Sequence, residues 1–301
     1  MNILVAGGTG FIGQNLTQSL IQKGHHVYIL TRKANMSSQS PYVHYITWLS
    51  QDDNIPQQLP TIDAAINLSG DPLNKGRWTQ KKKDEIINSR KITTQHIFQL
   101  LKDFNPKPSV LINASAVGVY GNSNTDTFTE ESVSLRNSFP SQVCEIWENE
   151  ALQAESLGVR TVLARIGVVL SNQGGALPKM TMPYRLFIGG KVASGEQWVS
   201  WIHIHDLVEL FQFAIHNQSI KGPINFTAPN PVQMNELGRQ IGNALNRPHW
   251  FPVPTIMLRT IFGEMSEFLS EGQKVIPKKA VDQGYSFTYP HCDQALKSIL
   301  R

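Results

Sequence analysis

The first thirteen residues, MNILVAGGTGFIG (1–13), decide the fold of this chain. An apolar run at residues 3–6, typical of a buried strand, leads straight into glycines at positions 7, 8, 10 and 13. Glycines in such a turn allow a tight bend out of the strand, a close approach of a pyrophosphate to the backbone, and close packing of the next helix on the sheet. Two registers fit, Gly8-x-Gly10-x-x-Gly13 and Gly7-x-x-Gly10-x-x-Gly13. Both predict a dinucleotide-binding turn.

The segments after the glycines have the pattern that this turn requires. Residues 11–23 predict a helix with Phe11, Ile12, Leu16 and Leu20 on one face, and residues 26–30 predict a second strand. The amino end of that helix would lie under the phosphates, with its amides and dipole directed at the negative charge. The first thirty residues therefore predict a complete strand-turn-helix-strand unit.

The end of the second strand indicates which dinucleotide is bound. Folds that select NAD usually place Asp or Glu about 20 residues past the glycines, where it accepts from the ribose 2′-hydroxyl. This chain has Thr31-Arg32-Lys33 there instead. A guanidinium matches a 2′-phosphate in fork geometry and stacks on adenine, so the sequence favours NADP(H). The alternative is that Arg32 and Lys33 form a solvated pair in a loop.

Composition argues against several classes of partner. The chain has 301 residues, is 41% hydrophobic, and carries a net charge of +4 without a long basic tract, which argues against nucleic-acid binding. It has no long apolar run, and its first residues form a strand rather than an export leader, so we expect no membrane partner. Cys144 and Cys292 have neither metal-ligand nor disulfide spacing. We therefore expect no metal and a cytoplasmic location.

Strand and helix patterns alternate along the first two thirds of the chain. Strands are predicted at residues 3–6, 26–30, 43–48, 64–68, 110–114, 160–166 and 224–226, with a last one near 286–289, and helices at 11–23, 79–102, 140–156, 205–216 and 235–245. This alternation predicts an α/β protein with a Rossmann-like, doubly wound parallel sheet. We expect a dinucleotide-binding domain from residues 1–170 with 203–227, and a smaller C-terminal substrate lobe from 171–202 with 228–301.

Several motifs together resemble the extended short-chain dehydrogenase/reductases, the NAD(P)-dependent epimerase/dehydratase superfamily. They are GGTGFIG (7–13), LSG (68–70), ASA (114–116), VYG (119–121) and WIHIHD (201–206). Further segments are similar to one atypical branch, the "epimerase family" proteins. These are GRWT (76–79), SR (89–90), GGAL (174–177), GEQ (195–197), APNP (228–231) and GEM (263–265).

The turn and the resemblance together imply a set of cofactor-binding residues at the carboxyl ends of the predicted strands. The set comprises Gly7, Thr9, Gly10, Phe11, Ile12, Gly13, Thr31, Arg32, Leu68, Ser69, Gly70, Ala114 and Ile166.

The resemblance also implies a catalytic pattern, which this chain matches only in part. In the superfamily a Ser or Thr after the fifth strand polarises the substrate oxygen, and a Tyr-x-x-x-Lys run moves the proton. Ser115 matches the first role, but Pro140 and Cys144 stand where the Tyr and Lys are expected. An unperturbed Tyr, with a pKa of about 10, needs such a Lys to act as a base at neutral pH. The usual proton relay is therefore missing.

Other residues are candidates for the missing role. Tyr120 lies near Ser115 in sequence, Cys144 offers a thiol acid, and Glu145 and Glu148 offer carboxylates. Each has a structural alternative: packing for Tyr120, a small core residue for Cys144, and a solvated helix face for the glutamates. His203 and Asp206 fit a structural junction between a strand and a helix. Candidates to bind an anionic or polyol substrate are Arg77, Arg90, Arg185, Lys191 and Gln197.

Two functions remain open on these residues. The first is an NADP(H)-dependent oxidoreductase or epimerase-like enzyme, which acts on a small carbonyl or hydroxyl substrate near Ser115 with an unconventional proton donor. The second is a non-catalytic NADPH-binding sensor or regulatory protein. The resemblance implies a possible homodimer formed through paired long helices.

Overall fold

Seven parallel strands form the central sheet of the computed structural model, which describes residues 1–34, 36–49, 55–73, 77–254, 256, 260, 263–266 and 270–301. Gly76 of the GRWT segment lies outside the described residues. The described strands are β1 (Asn2–Ala6), β2 (His26–Thr31), β3 (Val43–Thr47), β4 (Ala64–Asn67), β5 (Val110–Ala116), β6 (Thr127–Phe128), β7 (Arg160–Ile166), β8 (Val168–Leu170), β9 (Trp198–Val199), β10 (Trp201–His203), β11 (Gly222–Phe226), β12 (Val232–Gln233) and β13 (Lys274–Val275).

Helices cover both faces of the central sheet. The described helices are α1 (Phe11–Gln22), α2 (Ile55–Gln58), α3 (Gln80–Asp103), α4 (Phe139–Leu152), α5 (Leu177–Arg185), α6 (Ile204–His216), α7 (Met234–Leu245), α8 (Lys278–Asp282) and α9 (Cys292–Leu300). Because neighbouring residues of a strand face opposite sides, Ile3 packs with Leu16 of α1, whereas Leu4 packs with Ile97 of α3. α1 lies against α6 and α3 against α4. The predicted doubly wound α/β fold is confirmed.

The strand order creates the site. The central sheet runs β11-β7-β5-β4-β1-β2-β3, so the chain winds outward in both directions from β1. In open α/β sheets ligands bind in the crevice at the carboxyl ends of the strands where the winding reverses. Here that crevice lies between the ends of β1 and β4.

The register of the sheet aligns polar residues near the carboxyl ends of three strands. Ser115 of β5 pairs with Arg165 of β7, and Arg165 pairs with Asn225 of β11. Register partners point to the same face of a sheet, so these three side chains form a row.

A second core lies in the C-terminal part of the chain. α5, α7 and α9 bury Leu177, Leu237 and Leu296 around Trp201. The predicted division into two domains remains a prediction, and contacts cross it. β13 pairs with β6, and Ala280 of α8 belongs to the core that contains Ile3 and Leu16.

The predicted strand near 286–289 is wrong. The segment has no regular structure, because its backbone donors are taken by a buried carboxylate rather than by a neighbouring strand. The amides of Thr288 and Tyr289 donate to Asp206 at 2.8 and 2.9 Å. The predicted helix at 140–156 also ends earlier, at Leu152, and continues as a 3₁₀ turn from Gln153 to Leu157.

Candidate functional site

The glycine turn has the geometry of one of the two predicted registers. Gly7 adopts a φ of 80°, and its carbonyl accepts from the amide of Gly10 at 3.0 Å. A Cβ on Gly7 would lie 2.7 Å from the carbonyl carbon of Leu68, and one on Gly13 would lie 2.3 Å from the Gly7 oxygen. Gly7 therefore makes the turn and Gly13 allows the packing, as in Gly7-x-x-Gly10-x-x-Gly13.

Gly10 differs from its neighbours because no protein contact explains it. It adopts φ −79° and ψ 174°, which any residue tolerates, and it precedes α1 without a side-chain cap. Within the described part of the chain, an added Cβ would meet only the Gly7 oxygen, at 3.3 Å. The missing side chain thus leaves room outside the protein, at a helix amino end that attracts anions. The turn fits a dinucleotide pyrophosphate.

The rest of the predicted cofactor set surrounds this turn. Phe11 and Ile12 are half-buried in the first turn of α1, and Thr9 is exposed. Phe11 packs so closely on Gly174 that a Cβ there would lie 2.7 Å from its ring. At the end of β2, Thr31 is buried and Arg32 is exposed. No described carboxylate pairs with Arg32, so its guanidinium is available to a ligand.

The loop after β4 is held beside the glycine turn. Asn67 donates to Asn113 at 2.7 Å and accepts from the amide of Ser69 at 3.1 Å. These bonds fix residues 68–70, whose first carbonyl lies against Gly7. The structure thus brings Leu68, Ser69 and Gly70 together with the turn. Ala114 and Ile166 lie near the carboxyl ends of β5 and β7.

Ser115 belongs to a buried network of hydrogen bonds that is closed on itself. Its hydroxyl donates to Glu148 Oε1 at 2.7 Å. Arg165 donates to the same carboxylate through Nε at 2.9 Å and Nη2 at 2.8 Å, and to the hydroxyl of Tyr120 at 3.0 Å. Tyr120 in turn donates to Asn225 at 2.7 Å. Ser115 is therefore held by a carboxylate that carries its own counter-ion.

The two other predicted catalytic residues are buried and protonated at neutral pH. Burial raises the pKa of Tyr120 to about 12, and its hydroxyl is fully engaged by Arg165 and Asn225. Burial also raises the pKa of the Cys144 thiol to about 11. Their assignment as catalytic residues stays a prediction.

The positions of the missing Tyr and Lys are filled by packing groups. α4 begins with a capping box between Ser138 and Ser141 and has Pro140 in its first turn. Pro140 lies over Gly118, where a Cβ would be 3.1 Å from the proline ring. Cys144 is completely buried one turn later. Neither position provides a proton donor with an ordinary pKa.

The solvated face predicted for α4 is right for Glu145 and wrong for Glu148. Glu145 forms a surface ion pair with Arg136, whereas Glu148 is only 6% exposed. The signal in the sequence was Arg165, which interrupts the otherwise apolar run VLARI (162–166). A charge in a buried strand requires a counter-ion, and α4 supplies it.

The predicted substrate-binding residues separate into exposed and buried groups. Arg77, Arg185 and Lys191 are exposed. Gln197 is fully buried and donates to the carbonyl of Val192 at 3.2 Å, a structural contact. Arg90 is buried beneath the loop that follows β4.

His203 and Asp206 have the predicted structural roles. His203 Nδ1 accepts from the amide of His205 at 3.0 Å and so caps α6. Burial, with a smaller contribution from His205, lowers the pKa of His203 to about 4. Asp206 fixes the segment at Thr288 and Tyr289.

A cavity of about 540 Å³ opens beside the amino end of α4. Trp78, Lys83 and Phe139 line it, with Glu264 from the C-terminal part of the chain. Lys83 pairs with Glu264 at 2.5 Å and lies 5.3 Å from the centre of the Phe139 ring. Both parts of the chain therefore contribute to one polar and aromatic cavity.

Two features are absent from the described part of the chain. Its residues contain no cluster of three or more side chains suited to hold a metal ion. Among its helices, none combines the length and the apolarity that a membrane span needs.

Comparison with known proteins identifies the family. The model of the NAD dependent epimerase/dehydratase family matches residues 3–226, and that of a domain of unknown function, DUF1731, matches residues 253–299. Epimerase family protein YfhF from Bacillus subtilis is 45% identical over 300 residues, which cover 100% of this chain and 98% of that protein.

Solved structures give the same result. The crystal structure of human epimerase family protein SDR39U1 (isoform 2) with NADPH is similar at a TM-score of 0.90 and 35% identity, over 100% of this chain and 99% of that chain. The nucleoside-diphosphate sugar epimerase from Corynebacterium glutamicum is similar at a TM-score of 0.76 and 28% identity, over 100% of this chain and 58% of that chain. The chain belongs to the NAD dependent epimerase/dehydratase family, and the resemblance found in the sequence is confirmed.

Proposed function

We propose that this member of the NAD dependent epimerase/dehydratase family binds NADP(H) and acts as an epimerase-like oxidoreductase on a small carbonyl or hydroxyl substrate. The observation that carries the proposal is the pairing of two free features at one edge of the sheet. Gly10 leaves room at a helix amino end, and Arg32 stands exposed at the end of β2. The first suits a pyrophosphate and the second suits a 2′-phosphate.

A related structure supports the choice of NADP(H). The human relative was crystallised with NADPH and is 35% identical to this chain over its full length. Family membership alone does not select between the two dinucleotides, because the family description names NAD whereas the human relative was crystallised with NADPH. The proposed preference for NADP(H) therefore rests on the residues at the end of β2.

The proposed chemistry assigns the proton to the Ser115 network. When bound, the dinucleotide supplies or accepts the hydride. The Ser115 hydroxyl donates its hydrogen bond to Glu148, so a lone pair of its oxygen can accept a hydrogen bond from a substrate hydroxyl. In oxidation the substrate proton passes to Ser115 while the serine proton passes to Glu148, and Arg165 holds the carboxylate in place. Reduction reverses these transfers.

The alternative function is a non-catalytic NADPH-binding sensor or regulatory protein. The observations that favour it are the residues at the start of α4 and the burial of Ser115. Pro140 and Cys144 fill the positions of the usual proton donor and its lysine, and Ser115 is only 3% exposed. A site closed in this way suits binding without turnover.

Cofactor preference is tested by titration with NADPH and NADH, read by energy transfer from the six tryptophans to the reduced nicotinamide. Arg32→Ala should weaken NADPH binding by about 1.5 to 3 kcal/mol, the range for a hydrogen bond to a charged group, and leave NADH binding unchanged. Arg239→Ala, which removes an exposed arginine of α7, serves as the matched control. Equal losses for both dinucleotides would refute the assignment to a 2′-phosphate.

Turnover distinguishes the two functions. A panel of small carbonyl compounds is screened for NADPH oxidation, and Ser115→Ala is tested on every compound that reacts. The enzyme predicts that this variant loses turnover and keeps its affinity for NADPH. The sensor predicts that no compound is reduced, although NADPH binds tightly.

The remaining expectations are parts of the same proposal. We propose a small-molecule partner, a cytoplasmic location and a homodimer formed through the long helices. The two cysteines are buried and free, as a reducing compartment allows.

A further inference from the structure

Two short segments in the C-terminal part of the chain expose large apolar side chains beside each other. One is the end of α5 with the turn after it, and the other follows α7. The indole of Trp250 donates to the carbonyl of Phe187 at 2.7 Å, and the amide of Phe251 donates to the carbonyl of Gly189 at 3.1 Å. We call this surface the apolar corner. Its side chains are 49% to 71% exposed, and they are those of Met182, Leu186, Phe187, Ile188, Trp250 and Phe251.

The apolar corner differs from the other exposed apolar residues of the described chain in being contiguous. Ile92 of α3 and Val281 of α8, for example, are exposed on separate helices. Single exposed apolar side chains are ordinary on protein surfaces, whereas a contiguous patch marks a site of interaction. The apolar corner therefore indicates a partner.

The backbone holds Phe187 outward at a conformational cost. α5 ends in a Schellman turn, in which the amide of Phe187 donates to the carbonyl of Tyr184 and that of Ile188 to the carbonyl of Pro183, both at 2.9 Å. Phe187 occupies the left-handed position of this turn, with a φ of 62°. Glycine is usual there because a Cβ is strained. A strained backbone that presents an aromatic ring to solvent indicates a role beyond the fold of the chain.

The two stretches of sequence that form the apolar corner carry only positive charges. Residues 156–195 and 237–263 contain neither Asp nor Glu. The guanidinium of Arg247 lies 4.4 Å from the centre of the Phe187 ring. Exposed cations on the same stretches are Lys179, Arg185, Lys191 and Arg239. The apolar side chains are thus accompanied by cations without acidic neighbours in sequence.

This combination of groups selects among the possible partners. Two copies of the chain that met through their apolar corners would bring like charges together, which disfavours self-association. The surface of an anionic bilayer meets both requirements of the apolar corner. Its headgroups attract Lys and Arg, and its interface accommodates the rings of Trp and Phe.

We propose that the apolar corner binds the surface of a membrane that contains anionic lipids, with Phe187 and Trp250 in the interface and the cations on the headgroups. Such binding is peripheral and differs from a membrane span, which none of the described helices can form. The expectation of no membrane partner rested on the absence of a long apolar run and of an export leader, and neither concerns a patch on the folded surface. The proposal is independent of dinucleotide binding.

Co-sedimentation with lipid vesicles tests the proposal. The whole protein is mixed with vesicles of phosphatidylcholine alone and with vesicles in which about 30% of the lipid is phosphatidylglycerol, an anionic lipid. We expect binding to the anionic vesicles only. The partition coefficient should fall at least about fivefold between about 0.1 and about 1 M salt, since the Debye length shortens from about 10 to about 3 Å.

Two glycine variants separate the side chain from the backbone. Phe187→Gly should weaken partitioning at least about fivefold, because an aromatic side chain no longer enters the interface. It should not lower the unfolding temperature, because glycine adopts the left-handed conformation freely. Asn246→Gly is the matched control: Asn246 also has a left-handed φ, of 55°, at the end of α7, but its side chain is polar. Its substitution should leave partitioning unchanged.

Each outcome decides for or against the membrane. Selective, salt-sensitive binding that Phe187→Gly weakens and Asn246→Gly does not would support the proposal. Absence of binding to the anionic vesicles, or equal binding by Phe187→Gly, would overturn it. Sedimentation velocity without lipid gives a third outcome. If the unmodified protein does not bind vesicles but self-associates, and Phe187→Gly abolishes the association, the apolar corner is an interface between copies and the membrane proposal is wrong. NADPH titration of the same samples tests the proposed function separately.

Discussion

Two polar regions at the carboxyl edge of the sheet differ in how completely their groups are paired. Around Arg165, the described donors and acceptors meet one another: Ser115, Glu148 and Tyr120 form a closed set with it. From Gly10 to Arg90, the edge instead offers an uncapped helix end and a buried Nε without an acceptor.

The degree of pairing separates groups that join elements of the fold from groups that remain open to a bound dinucleotide. A closed network joins elements of the fold. The backbone amide of Asn225 donates to Glu130 Oε1 at 2.9 Å, and the backbone amide of Lys279 donates to Glu130 Oε2 at 3.1 Å. The network thus joins β11 to the loop before α4 and to α8. An open edge adds nothing to the stability of the protein alone and becomes useful when a ligand completes it.

The largest effect is expected from breaking the closed region. Glu148→Ala leaves Arg165 as a buried charge without its carboxylate, and removing one partner of such a pair typically costs about 3 to 5 kcal/mol. We expect the free energy of unfolding, measured in urea, to fall by that amount. NADPH binding by the protein that remains folded should be weakened much less.

Glu145→Ala is the matched control on the same helix. Glu145 pairs with Arg136 at the surface, and exposed pairs contribute at most about 1 kcal/mol. If both substitutions destabilise the protein equally, the Glu148 pair contributes no more than a surface ion pair, and the contrast between the two regions is lost.

The same contrast explains how much the sequence could predict. The glycine turn, the helix after it and the alternation of strands and helices depend on local spacing, so the elements of residues 1–30 and the doubly wound parallel sheet were correctly predicted. The partners of Glu148 and Arg90 depend on how α3 and α4 rotate over the sheet. Local pattern does not fix that rotation, and the solvated face predicted for Glu148 was therefore wrong.

The wrong prediction of a strand near residues 286–289 has a similar cause. Residues 286–289 alternate as a strand does, yet Asp206, some eighty residues earlier, takes their amides. A single buried carboxylate outweighs a short β-pattern because its unpaired charge would cost more than a lost strand pairing. Only the tertiary structure shows which donors it selects.

Substitutions at two glycines of the turn should differ in their effect on the free energy of unfolding, and the larger of the two effects should be intermediate in size. Gly13→Ala places a methyl group 2.3 Å from the Gly7 oxygen and 2.6 Å from the Gly8 Cα, so the backbone must move. We expect a loss of about 3 kcal/mol in the free energy of unfolding, at the upper end for an overpacked site. Gly10→Ala meets only one atom, at 3.3 Å, and should unfold almost as the unmodified protein does.

The effects of these two variants on NADPH binding should have the opposite order to their effects on stability. Gly10→Ala fills the space left for a pyrophosphate, so the NADPH dissociation constant should rise at least about tenfold, equivalent to 1.4 kcal/mol of steric cost. Calorimetric titration beside the urea curves measures both quantities. Unchanged NADPH affinity in Gly10→Ala would mean that the open side of Gly10 faces solvent and not a ligand.

A smaller effect on stability than those of Glu148→Ala and Gly13→Ala is a pH dependence that arises from His203. His203 caps α6 with Nδ1 and stacks on Tyr289, with ring centres 4.0 Å apart. Burial lowers its pKa in the folded protein to about 4, whereas the unfolded chain has a pKa of about 6.5. Between these values the unfolded state binds the proton preferentially. The contribution of neutral His203 to the free energy of unfolding is therefore complete above about pH 6.5 and is lost as the pH falls toward 4.

His203→Asn keeps an acceptor that caps helices well and removes the titration. Between pH 7 and 4.5, the unmodified protein should lose about 2 kcal/mol more of its unfolding free energy than this variant does. His216→Asn changes an exposed histidine at the other end of α6 and should keep the full pH dependence. Parallel curves for the unmodified protein and His203→Asn would show that the ring accepts a proton in the folded state. The His203 cap would then resemble the incompletely paired groups between Gly10 and Arg90 rather than the fully paired network around Arg165.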